Sequence, residues 1–132
     1  MCISANIYNE LQSCFIVMRF SYARKLSHEE IEEKATYYKK VLAPYYTKLK
    51  NNISNNDNHV LVYCIDTVFD LMDNGDCKKI HTFLDSIHNM TEICTGARAL
   101  ATFGREINGF RKKYGYDYFP FFPQPRQRSI GK

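Results

Sequence analysis

Apolar residues recur at intervals of three and four along most of this chain, and that spacing restricts it to helices packed on one another. Ile3, Ile7, Leu11, Cys14, Phe15, Met18 and Tyr22 share one side of the first segment. They fill an arc of about 120°, the width of a stripe that faces a core. Ile16 and Phe20 lie on the opposite side, among Asn9, Gln12 and Ser13. A single apolar stripe does not account for these two. Either the bundle covers this helix on both sides, or that side meets a partner.

The same spacing continues downstream. Ser27 and Glu30 form an S-x-x-E capping pattern just before Ile31, which opens a second helix. Its core face is Ile31, Ala35, Tyr38, Leu42, Tyr45 and Leu49. Acids crowd its start and lysines its end, an order that matches the helix dipole. Pro44 lacks an amide hydrogen and is expected to kink this helix or divide it in two. After an Asn-rich loop, a third helix is expected from about His59 to Asp73, with Leu61, Cys64, Ile65, Val68 and Met72 on one face. Asn74-Gly75 supplies a stop and Asp76 a cap for the fourth helix. That helix faces the core with Ile80, Phe83, Leu84, Ile87 and Met90. A fifth is expected from near Thr91 to just before Gly115, built on Ile93, Ala97, Leu100, Phe103, Ile107, Phe110 and Tyr114. Gly96 and Gly104 lie on or beside its apolar face, where they allow another helix to come close.

The expected fold class is therefore all-α, a compact bundle of about five helices. Residues 1–115 form the domain and 116–132 an extended tail rich in proline and aromatics. Tyr118, Phe119, Phe121 and Phe122 are too apolar to remain in water, so the tail is expected to pack on the domain or on a partner. Leu11, Phe15, Leu42, Val68, Leu84, Leu100 and Phe103 are expected to be buried.

Composition adds exclusions. The longest apolar run, Val60 to Ile65, is far short of the roughly 20 residues that span a bilayer. Neither a membrane span nor a signal peptide is read. Five cysteines with no CxxC pair fit neither a disulfide framework nor a four-cysteine zinc site. Free thiols and a cytoplasmic location are expected. No cofactor is expected either, since no phosphate loop, nucleophile elbow or zinc-protease motif occurs. The residues carry no pattern that resembles a known family.

Two constellations remain. Cys77, His81, Asp85, His88 and Glu92 fall within an arc of about 80° on the fourth helix. These residue types bind zinc or iron. A di-metal bundle would need a second such element on a facing helix, and there is none. A polar helix flank, with Asp85 supporting His81 and His88 across single turns, explains the same pattern. The second constellation is basic. From Gly96 onward the chain carries eight Lys or Arg and two acids. Arg98, Arg105 and Lys112 recur every seven residues along one side of the fifth helix. Arg126 and Arg128 lie in the tail, and Arg111, Lys113 and Lys132 extend the positive field. Such a stripe can follow a phosphate backbone; a solvated helix face explains it equally.

Three functional classes follow. The leading one is a non-enzymatic interaction or regulatory module, which contacts a protein partner or itself through Ile16, Phe20, Phe119, Phe121 and Phe122. The alternative is an accessory subunit that binds nucleic acid through Arg98, Arg105, Lys112, Arg126 and Arg128. A metal-dependent enzyme using Cys77, His81, Asp85, His88 and Glu92 is third.

Overall fold

A computed structural model describes the backbone of residues 3–51, 56–93, 99–117 and 119, and the side chains of these except in 3–8, 56–59, 90–93 and 99–101. Its elements are α1 (Ile3–Ser21), α2 (His28–Lys50), α3 (Asn56–Asp73), α4 (Cys77–Ile93) and α5 (Ala99–Lys113). Among the described residues there is no strand, and the fold is an all-α bundle. No helix among them is long and apolar enough to cross a membrane.

Local chemistry sets most of the helix ends. At the start of α2 the Glu30 amide donates to Ser27 Oγ at 3.2 Å, and the Ser27 amide donates back to Glu30 Oε1 at 3.0 Å. These bonds satisfy two amides that the helix itself leaves without acceptors. The Ser27 amide, followed by the nearby Arg24 guanidinium, holds the Glu30 carboxyl below its usual pKa. At the start of α4 the Lys79 amide donates to Asp76 Oδ1 at 3.0 Å. Two glycines end helices with left-handed backbones. Gly75 has φ of 64° after α3, and Gly115 has φ of 80° after α5. Beyond α5 the Tyr116 amide bonds the Arg111 carbonyl at 2.7 Å and the Gly115 amide bonds that of Lys112 at 3.3 Å. This is the paired closure that a left-handed residue permits, and a side chain at that φ would be strained.

Two expected boundaries differ. Pro44 does not divide α2, which runs unbroken from His28 to Lys50. Pro44 is exposed, as is Lys40, whose carbonyl loses its helical donor. Water can take that carbonyl, while Tyr38, Leu42 and Leu49 anchor the helix on both sides of the proline. Thr91 does not open the last helix either, because α4 continues to Ile93 and α5 begins at Ala99. No glycine or proline stands between Met90 and Ile93 to stop it. Gly96 lies outside the described residues, and Gly104 is buried.

The core is built around α3, which packs against all four other helices. No residue from Val60 to Met72 is exposed. Around it lie Leu11 and Met18 from α1, Leu42 and Leu49 from α2, Ile80, Phe83, Leu84 and Ile87 from α4, and Phe103 and Ile107 from α5. Of the residues expected inside, Leu11, Leu42, Val68, Leu84 and Phe103 are buried. Phe15 is only partly buried, against the edge of this cluster, and the Leu100 side chain lies outside the described residues. Leu42 and Leu84 are sealed on all sides, at 0% and 1% exposure. Truncating either to Ala is expected to cost about 2–5 kcal/mol through lost burial and a residual cavity. Urea unfolding checks this, and a cost below about 1 kcal/mol would contradict the packing described.

Candidate interaction surfaces

The inner side of α1 is fixed to the bundle. Leu11, Met18 and Tyr22 are buried, and Cys14 and Phe15 pack at the edge of the core. Arg19 Nε reaches Asp85 Oδ1 of α4 at 3.1 Å. The Ser21 and Tyr38 hydroxyls are 2.8 Å apart and join α1 to α2. These contacts turn Asn9, Glu10, Ser13, Val17 and Phe20 outward. Phe20 is 70% exposed and Val17 57%. Ile16 is half-buried and instead borders a small apolar hollow with Leu11, Phe15, Leu61, Leu84 and Phe103. The two residues expected to act together therefore differ: Ile16 is largely covered, and Phe20 is open to solvent. Val17 joins Phe20 one turn away. It could have been found by the same spacing argument, since positions 17 and 20 are neighbours on a helix surface.

The tail residue Phe119 is covered from within the chain. Its ring stacks on Tyr63 of α3 with centroids 4.2 Å apart and an interplanar angle of 7°. Its amide donates to Asn108 Oδ1 at 3.1 Å, and its carbonyl accepts from Asn108 Nδ2 at 3.3 Å. Phe121 and Phe122 lie outside the described residues.

Of the basic stripe, Arg105 is half-buried and Lys112 exposed on α5, while Arg98, Arg126 and Arg128 lie outside the described residues. Arg111 does not extend the positive field. It is buried, at 5% exposure. Its Nη1 donates to Asp70 Oδ2 at 3.0 Å and to Thr67 Oγ1 at 3.1 Å. Its Nε donates to the Asp117 carbonyl, and its guanidinium lies over the Phe119 ring, 4.1 Å from the centroid. Arg111 thus ties α3, α5 and the chain after Gly115 together. Nothing local in the sequence separates it from Lys112 and Lys113, because its partners on α3 are 41 and 44 residues away.

The Cys/His/acid stripe of α4 meets three different surroundings. Cys77 and His81 border an open cleft beside Tyr22. Asp85 Oδ1 pairs with Arg19 Nε of α1. His88 borders the apolar hollow beside Leu11 and Ile87. The Glu92 side chain lies outside the described residues. Among the described residues no three His, Cys, Asp or Glu side chains converge to hold a metal ion. Burial, and then the charge of Asp76, raises the Cys77 thiol above its ordinary pKa. The thiol is therefore protonated at neutral pH and is not a ready nucleophile. Burial alone does the same to Cys14 and Cys64.

No protein-family model, curated protein or solved structure matches this chain.

Replacing Arg111 with Ala is expected to cost roughly 2–3 kcal/mol, the scale of lost charge-assisted hydrogen bonds. Replacing its exposed neighbour Lys112 is expected to change stability by less than about 0.5 kcal/mol. Equal costs in thermal or urea unfolding would contradict the assignment of Arg111 to the interior. A pH effect follows from Asp66, which accepts a hydrogen bond from Tyr46 Oη at 2.7 Å. Desolvation raises the Asp66 carboxyl above its ordinary pKa, against the lowering effect of Tyr46, and pushes the Tyr46 phenol up to about 12. A carboxyl with a raised folded pKa favours the folded state most when protonated, and that contribution is lost as pH rises through the folded value. Asp66→Asn should therefore gain stability relative to the native protein as pH rises from acid to neutral. A stability gap that stays constant with pH would refute this.

Proposed function

We propose that the protein is a non-enzymatic interaction module that binds a protein partner through the outer face of α1. The observation that carries this reading is the exposure of Phe20 and Val17, one turn apart on a helix whose other side is fully engaged. Single exposed apolar residues are ordinary, but an adjacent aromatic and aliphatic pair is the smallest unit of an anchor for a partner's pocket. Half-buried Ile16 borders the same face and extends the apolar area toward α4. Nucleic-acid binding has less support, because Arg111 is spent on Asp70 and the chain beyond α5. A metal-dependent activity also has less support, because Asp85 is engaged by Arg19.

The experiment is light scattering and a thermal melt on native protein, Phe20→Asp and Val17→Ser, with a pull-down using each as bait. A side chain this exposed contributes little to the monomer, so both variants are expected to stay folded and to keep stability within about 0.5 kcal/mol. Loss of self-association or of a captured protein in Phe20→Asp supports the reading. A monomeric native protein with no partner, together with a large fall in the melting temperature of Phe20→Asp, overturns it. That result would mean Phe20 serves the fold.

A further inference from the structure

The large apolar side chains exposed among the described residues are Val17, Phe20 and Tyr37, and all of them border the seam between α1 and α2. Two contacts hold these helices antiparallel. The Ser21 hydroxyl is 2.8 Å from that of Tyr38, and Tyr45 Oη donates to Glu10 Oε1 at 3.5 Å. In this register Phe20 stands level with Tyr37, and Val17 with half-buried Val41. The faces agree as well as the levels. Val17 lies one turn from Ser21 and two turns from Glu10, the residues through which α1 reaches α2. On α2, Lys39 and Tyr46 turn to Asp73 and Asp66 of α3, whereas Tyr38 and Tyr45 turn to α1. Tyr37 lies on the α1 side of that divide, and its ring meets Tyr38 edge-on with centroids 5.1 Å apart.

The charges beside this seam are complementary to themselves. Glu29, Glu32 and Glu33 are exposed near the start of α2, and Lys40, Lys48 and Lys50 are exposed beyond Tyr37. Glu33 and Lys40 have no ion-pair partner among the described residues. Glu33, Tyr37 and Lys40 fall within an arc of about 60°. They line one shallow recess with Glu32 and Thr36. This face therefore carries acid, aromatic ring and base in order along the helix, and reversing the helix direction produces the complementary order. A two-fold axis crossing α1 and α2 at the level of Phe20 and Tyr37 makes that reversal and lays each helix antiparallel to its own copy. Glu33 then faces Lys40 of the partner subunit, Lys40 faces Glu33 of the partner subunit, and the Phe20 and Tyr37 rings of both copies meet at the centre. Exposed ion pairs add little affinity but penalise wrong registers, so the rings supply the burial and the charges the alignment. An unrelated partner would have to bring the complementary order, which a second copy already has.

We propose that a second copy of this chain covers the α1–α2 seam, in a two-fold dimer centred on Phe20 and Tyr37 with Glu33 and Lys40 paired across the axis. This rests on the outer-face reading of α1 and names its partner. The test is sedimentation velocity over a range of concentrations on the intact native chain, on Glu33→Lys, on Lys40→Glu and on an equimolar mixture of these two variants. The native chain is expected to sediment as a dimer that dissociates on dilution. Each variant alone sets like charges opposite each other at two symmetric places, and should dimerise about tenfold more weakly. Both positions are exposed, so both variants are expected to melt like the native chain. In the mixture the two altered side chains face each other as an opposite-charge pair and the remaining pair is native, so the dimer should return. A native chain that stays monomeric at every concentration, a variant that dimerises as tightly as the native chain, or a mixture that stays dissociated would each overturn the proposal. A monomeric native chain that still captures a protein partner, and loses it in Phe20→Asp, overturns the dimer while the outer-face reading stands.

Discussion

From Val60 to Met72, α3 has no exposed residue, so the other four helices must lie around it. A helix that is apolar over most of its circumference cannot face water on any side. The chain meets this by placing Leu42 and Leu49 of α2 on one side of α3, Phe83 and Leu84 of α4 on another, and Ile107 of α5 on a third. Enclosing a helix also encloses its polar residues. Asp66, Thr67 and Asp70 belong to α3, and none is free of the bundle. Thr67 turns its hydroxyl to the Tyr63 carbonyl one turn back, at 2.9 Å. Asp66 and Asp70 need partners from other helices, and Tyr46 and Arg111 supply them.

Arg111 is thus a consequence of the way α3 is covered. Its guanidinium has more donors than Asp70 and Thr67 can use, and the remainder fixes the chain beyond Gly115. Once Asp117 is held, Phe119 lies between Arg111 and Tyr63, and Asn108 accepts and donates to its backbone. The start of the tail is therefore part of the bundle, and its order depends on a residue that resembles a solvated base in sequence.

What was legible in the sequence follows the range of each interaction. Ser27 with Glu30, Asp76, Gly75 and Gly115 act within one turn of their own positions, and each marks a helix end that the structure contains. The apolar faces of α1, α2 and α4 are equally legible, because periodicity reports a face directly. Periodicity does not report how many neighbours a helix has. The two-sided pattern of α1 invited the idea of a central helix, yet α3 holds that place and α1 keeps one side open. The stronger signal was the unbroken run Val60 to Ile65, which carries apolar side chains around more than one face. Arg111 and Asp85 were illegible for another reason. Their partners are brought near only by the packing of α5 on α3 and of α4 on α1.

The open side of α1 is then best understood by comparing it with the side it presents to the core. The bundle has already satisfied α1 through Met18, Tyr22, Arg19 and Ser21, which use the inner and lateral positions of its last turns. Val17 and Phe20 occupy the positions left over, where a monomer has no use for a large apolar side chain. A charged residue there would satisfy the fold equally well, as Glu10 does two turns earlier. The fold thus constrains these two positions to be exposed without requiring them to be apolar. On the reading proposed above, their apolar character serves burial against another protein surface, the process that the hydrophobic effect favours for such side chains.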